Sequence, residues 1–145
     1  MDGNETEDTG FIPVGLWSTV FDSYAITEKN LDYFMDMSEW GGDGDKLQGN
    51  IARAVDFSNT AGVLIIRVTS TAGWIQNTVG RYTGIYYSEY TGSSIKFAAA
   101  INLSDYSSIE ATSLSEALSL FTVDNSHLHV DWSLGTPYTL TSETH

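Results

Sequence analysis

The chain has 145 residues, no Cys, and 19 Asp plus Glu against 6 Lys plus Arg, a formal net charge of -13. That balance argues against a nucleic-acid reader or a binder of anionic membranes, both of which need clustered cations. The absence of Cys excludes a disulfide framework and a thiolate metal site.

A chain of this length fits one domain and typically buries roughly 70% of its unfolded surface, which is enough for a core. Its longest apolar stretches, such as Ala61 to Ile66, are too short to cross a bilayer as a helix. Residues 1-10 open with four acids between Met1 and Asp8, so they read as a flexible acidic leader that cannot bury enough apolar surface to order itself. Residues 11-140 then form the single domain and 141-145 a C-terminal tail.

Gly15 to Asp22 is rich in aromatic and β-branched residues and reads as the first strand, with Tyr24 to Thr27 as the second. Glu28-Lys29-Asn30 turns the chain into Leu31 to Met37, where Leu31, Tyr33, Met35 and Met37 share a face opposite Asp32, Asp36 and Ser38. Gly41-Gly42-Asp43-Gly44-Asp45 is a loop. Lys46 to Phe57, with Leu47, Ile51, Val55 and Phe57 in phase, should pair as a hairpin with Gly62 to Ser70. In that second arm Val63-Leu64-Ile65-Ile66 is apolar on both faces and is expected to be covered on both.

Gly80 to Glu89 and Ile95 to Ile101 follow as strands on either side of the turn residues Thr91-Gly92-Ser93. Ser113 and Glu116 form a capping box, and Leu114, Ala117, Leu118 and Phe121 give the helix it opens one apolar stripe, which needs the strands to cover it. Leu128, Val130 and Trp132 alternate with His127, His129 and Asp131 as an eighth strand before Pro137 and a polar end. Eight short strands with hairpin-length turns predict an all-β fold, an antiparallel eight-stranded barrel with one short helix before the last strand. A barrel is preferred to a sandwich because closure removes edge strands, and little Pro or Lys guards the edges here.

Gly15-Leu16-Trp17 at the first strand, together with a helix near the end, resembles the lipocalin-like group of calycin barrels. The resemblance implies that Trp17 closes one end of the barrel and that the interior holds a small apolar molecule. It rests on Gly15 and Trp17, and the cation that lipocalins usually place over this Trp is replaced by His127 and His129. Gly80-Arg81-Tyr82-Thr83-Gly84-Ile85-Tyr86 and the run from Leu118 to Asn125 resemble bacterial envelope lipoprotein domains. That likeness implies an extracytoplasmic domain at the cell envelope or surface, tethered through a lipid anchor removed upstream.

The alternation makes Tyr33, Met35, Ile51, Val55, Ile85, Tyr87 and Phe97 the expected cavity lining, with Trp17 as the plug. Arg53 falls in phase with Ile51 and Val55, so it is expected to face inward, where a guanidinium needs an anion: a bound fatty-acid carboxylate or a protein carboxylate. Arg67 and Arg81 carry the same alternatives. His127, His129 and Asp131 share a face and are candidates for a divalent metal, against the plain reading of a solvated outer face. Asp43, Asp45 and Glu39 lack the calcium-loop pattern and read as a turn.

No nucleophile-and-base motif is present, so the chain is read as non-enzymatic and without a cofactor. The leading expectation is an envelope domain that binds a small apolar or amphipathic ligand. The alternatives are a carbohydrate-binding or adhesion module working through Trp40 and Trp74, and a solid barrel that contacts a host or envelope protein.

Overall fold

A computed structural model describes residues 10–19, 22–35, 44–73, 77–99, 109–122 and 138–142. Among them eight antiparallel strands follow one another around a closed barrel: β1 (Gly15–Ser18), β2 (Asp22–Ile26), β3 (Asn30–Met35), β4 (Asp45–Asp56), β5 (Gly62–Ala72), β6 (Tyr82–Ser88), β7 (Ser94–Ala99) and β8 (Tyr138–Ser142). β8 pairs with β1 and completes the ring, so no sheet edge is left along the joined strands. One short helix, α1 (Leu114–Leu120), lies between β7 and β8 in the chain.

The expected barrel, with its helix ahead of the last strand, is therefore the observed fold. The expected eighth strand at His127 to Trp132 lies outside the described residues. The strand that closes the barrel is Tyr138–Ser142, in the stretch read from sequence as a polar end and tail. Its threonines alternate with Tyr138 and Leu140, a short signal that turn-like neighbours conceal.

Two of the hairpin turns use the same side-chain chemistry. Thr27 Oγ1 accepts the backbone N-H of Asn30 at 3.0 Å, and Thr91 Oγ1 accepts that of Ser94 at 3.0 Å. In each turn the threonine N-H also donates to the carbonyl of the same partner, so the register of both hairpins is fixed locally.

The strands separate two apolar layers. Inside the ring, Trp17, Tyr24, Ile26, Leu31, Leu47, Leu64, Ile66, Ile85, Tyr87, Ile95 and Phe97 pack together. Outside it, Val63, Ile65 and Tyr86 pack against Ala117 and Phe121 of the helix segment, with Leu114 and Leu118 alongside. This explains the doubly apolar run at Val63 to Ile66: Leu64 and Ile66 face the interior, while Val63 and Ile65 lie under α1. A seven-residue helix is too short to be stable alone, so this docking is what holds it.

The helix start is capped as expected. Ser113 Oγ accepts the Glu116 N-H at 3.1 Å, although the Glu116 carboxylate reaches back to Thr112, accepting its N-H at 2.7 Å and its hydroxyl at 3.0 Å. Those bonds lower the Glu116 carboxyl below its usual range, with help from nearby Arg81.

Candidate functional site

One end of the barrel is shut. The Trp17 indole is buried and its Nε1-H donates to the Pro13 carbonyl at 2.8 Å. The chain before β1 crosses this end: Gly10 N-H bonds the Ala54 carbonyl at 2.7 Å, and Phe11 N-H bonds the Asp56 carboxylate at 2.9 Å. The Phe11 ring then stacks 4.9 Å from Tyr90, which itself lies 6.0 Å from Trp17.

Gly15 shows why the Gly-x-Trp pairing works here. Its φ of +147° suits glycine, and a Cβ at that position would stand 2.5 Å from Leu140 Cδ1 and 3.4 Å from the Trp17 Nε1. A side chain at residue 15 would collide with β8 just where the indole seats.

The last residues of β1, β3, β5 and β7 reach the opposite end, where the neighbouring segments 20–21, 36–43, 74–76, 100–108 and 123–137 lie outside the described residues, and Tyr24 stands on the same rung as Trp17. The rings of Tyr24 and Phe97 lie 4.2 Å apart, with Tyr33 4.7 Å from Tyr24, forming an aromatic floor across the interior. Tyr33 is half-buried, and its hydroxyl donates to Asp22 Oδ2 at 2.8 Å. The Thr19 hydroxyl donates to Asp22 Oδ1 at 2.7 Å, so the carboxylate is oriented by two hydroxyls.

In register, Asp22 stands opposite Met35 and Met35 opposite Asp45, while Tyr24, Tyr33 and Leu47 form the rung beneath. Directly paired residues share a face, so Asp22, Met35 and Asp45 line the inner rim. Burial pushes the Tyr33 hydroxyl well above its ordinary pKa, with further contributions from Tyr24, Asp22 and Asp45. Burial, followed by Asp22, does the same for Tyr24.

Of the residues expected to line the interior, Trp17, Ile85, Tyr87 and Phe97 belong to the inner cluster, and Tyr33 and Ile51 pack against it. Met35 lies on the same face of β3 at the rim and is half-buried.

Two placements are corrected. Val55 packs in the outer layer with Val63 and the helix segment. Arg53 stands opposite Ile65, an outer-layer residue, and therefore faces outward. The cause is a register shift between Ile51 and Arg53: Ala52 is an extra residue, a β-bulge, and the alternation inverts after it. Arg53 is thus not an anchor for a ligand inside the barrel. Arg67 is exposed, paired opposite Tyr82 and Asn50, and Arg81 is exposed near Glu116.

Asp22 shares the inner face of β2 with Tyr24, although in sequence it continues the run that begins at Gly15. Trp40, Trp74, Glu39, Asp43, His127, His129 and Asp131 lie outside the described residues. Among the described residues no group of three or more His, Asp or Glu side chains is arranged to hold a metal ion. In comparisons with known proteins, no family description, curated protein or solved structure matches this chain.

Proposed function

We propose that this domain is a non-enzymatic binding module that takes a small apolar or amphipathic ligand through the rim formed by β2, β3 and β4. The observation that carries this reading is the aromatic and thioether lining where β2, β3 and β4 meet. Trp17, Pro13 and Phe11 seal one end, while half-buried Tyr33 and Met35 face the other above the Tyr24 and Phe97 rings. Ring faces and a thioether accept varied apolar shapes, and the hydroxyl and carboxylates at the rim orient a polar end.

We also place the domain outside a bacterial cell, at the envelope, held through a lipid anchor joined upstream. The resemblance of the Gly80 to Tyr86 stretch to envelope lipoproteins supports this.

The test is a titration with an uncharged, environment-sensitive naphthylamine dye, followed by native mass spectrometry. Saturable binding of one dye per chain, weakened by Tyr33→Ala, is the expected result. Absence of saturable binding overturns the proposal.

A further inference from the structure

Three of the chain's six Lys and Arg stand on one outer face of the barrel. The residues that turn outward there include Lys46, Gln48, Asn50 and Arg53 on β4 and Arg67 and Ser70 on β5. β5 carries no acid, and the two acids of β4, Asp45 and Asp56, lie at its ends and turn inward. Lys46 and Arg67 are exposed, Arg53 is half-buried, and none of the three makes a hydrogen bond or ion pair with another described residue. The other cations each have an acid beside them: Lys96 pairs with Glu89 at 3.1 Å, Arg81 lies near Glu116, and Lys29 follows Glu28 in the β2–β3 turn. On a chain whose acids outnumber its cations 19 to 6, a row of unpaired cations with no acid between them is a surface complementary to an anion. Asp32, opposite Gln48 on β3, marks its border.

We propose that this face of β4 and β5 binds an acidic polysaccharide, a glycan whose sugars carry carboxylates. The cations lie along the strands rather than around a point, spanning roughly 20 Å from Lys46 to Arg53 at the usual rise per residue, so they suit an extended chain. Between them the exposed amides of Gln48 and Asn50 and the hydroxyl of Ser70 can donate to and accept from sugar hydroxyls. Phe34, 37% exposed and opposite Lys46 in register, adds a ring face on which a sugar can rest. A protein partner would need an apolar, charge-depleted centre, and charges and amides occupy that place here. A nucleic-acid duplex or an anionic bilayer would press dense negative charge against the rest of a molecule at -13.

Isothermal titration of the full chain at low ionic strength compares oligogalacturonate with a neutral maltooligosaccharide and with poly-glutamate, all of matched length. Saturable binding of oligogalacturonate is expected, tighter by roughly tenfold than either of the others and lost as added salt screens the charges. Arg53→Gln, Arg67→Gln and Phe34→Ala should each weaken it several-fold. Lys96→Gln changes the net charge as much as either Arg variant but lies on β7, and it should leave binding unchanged. Circular dichroism checks that each variant is folded. Poly-glutamate binding as tightly as oligogalacturonate would make the partner an acidic polypeptide and overturn the proposal. So would equal binding of the neutral sugar, equal weakening by Lys96→Gln, or no saturable binding of oligogalacturonate.

Discussion

Ile51 and Arg53 sit two residues apart on β4 yet point to opposite sides of it, because Ala52 is inserted between their pairing partners Ile66 and Ile65. In an uninterrupted strand they would share a face. After the bulge Ala54, not Arg53, turns into the barrel, where it is 1% exposed. Arg53→Gln should therefore change stability by no more than about 0.5 kcal/mol in urea unfolding. Ala54→Arg would drive an unpaired guanidinium into the inner layer and should cost more than about 3 kcal/mol. Equal costs at the two positions would refute the inverted alternation.

Gly84 and Phe121 determine how closely α1 approaches the barrel. A Cβ on Gly84 would lie 2.9 Å from both Cγ and Cδ1 of the Phe121 ring and 3.2 Å from Val63 Cγ2. Gly84→Ala should cost about 1–3 kcal/mol through overpacking, because the ring has no slack between β6 and the helix. Phe121→Leu alone is destabilising, but in the double variant the two losses should sum to less than their separate values. A fully additive cycle would show that the two residues do not share the contact.

The fold was legible because its signals are local. Gly15 and Trp17, the threonine turns, the stripe at Leu114 to Phe121 and the doubly apolar run at Val63 to Ile66 each state their environment within a few residues. Legibility failed where one residue changes the count. Ala52 looks like any strand alanine, so nothing in the sequence announces that it inverts the phase of Arg53 and Val55. The rim is hidden for a related reason: in sequence Asp22 continues the run of the first strand, and Asp45 ends a glycine-rich stretch. The pairing of Asp22 with Met35 and of Met35 with Asp45 is a relation among three strands, which no single period-two pattern contains.

Trp17 joins the seal of the barrel to its core. Trp17→Phe retains most of the ring volume but leaves the buried Pro13 carbonyl without the indole N-H, a change expected to cost about 1–3 kcal/mol. Trp17→Ala also opens a cavity beside Tyr90 and should cost about 3–5 kcal/mol or prevent folding. Thermal unfolding followed by circular dichroism ranks the two. If Trp17→Phe proves as stable as the parent, the hydrogen bond contributes nothing to the seal.

Alkaline pH should unfold the barrel through its tyrosines. Burial pushes the Tyr86 hydroxyl up to about 12, and Tyr86 also donates to the Thr122 carbonyl at 3.1 Å. Tyr87 is likewise pushed up to about 12 by burial, then by Asp56 and Tyr90. Tyr24 and Tyr33 are raised as well. In the unfolded chain these groups ionise near pH 10. Between about pH 10 and 12 the unfolded state therefore binds fewer protons than the folded state, and stability falls as pH rises through that window. Below pH 10 both states are protonated and the effect vanishes. Four of the eight tyrosines should thus ionise only as the barrel opens, so part of the tyrosinate absorbance should rise together with the loss of the circular dichroism signal. Tyr87→Phe removes one contributor and should make the alkaline loss of stability shallower. If all eight tyrosines titrate near pH 10 while the circular dichroism stays native, the aromatic floor is open to solvent and its packing is not as described.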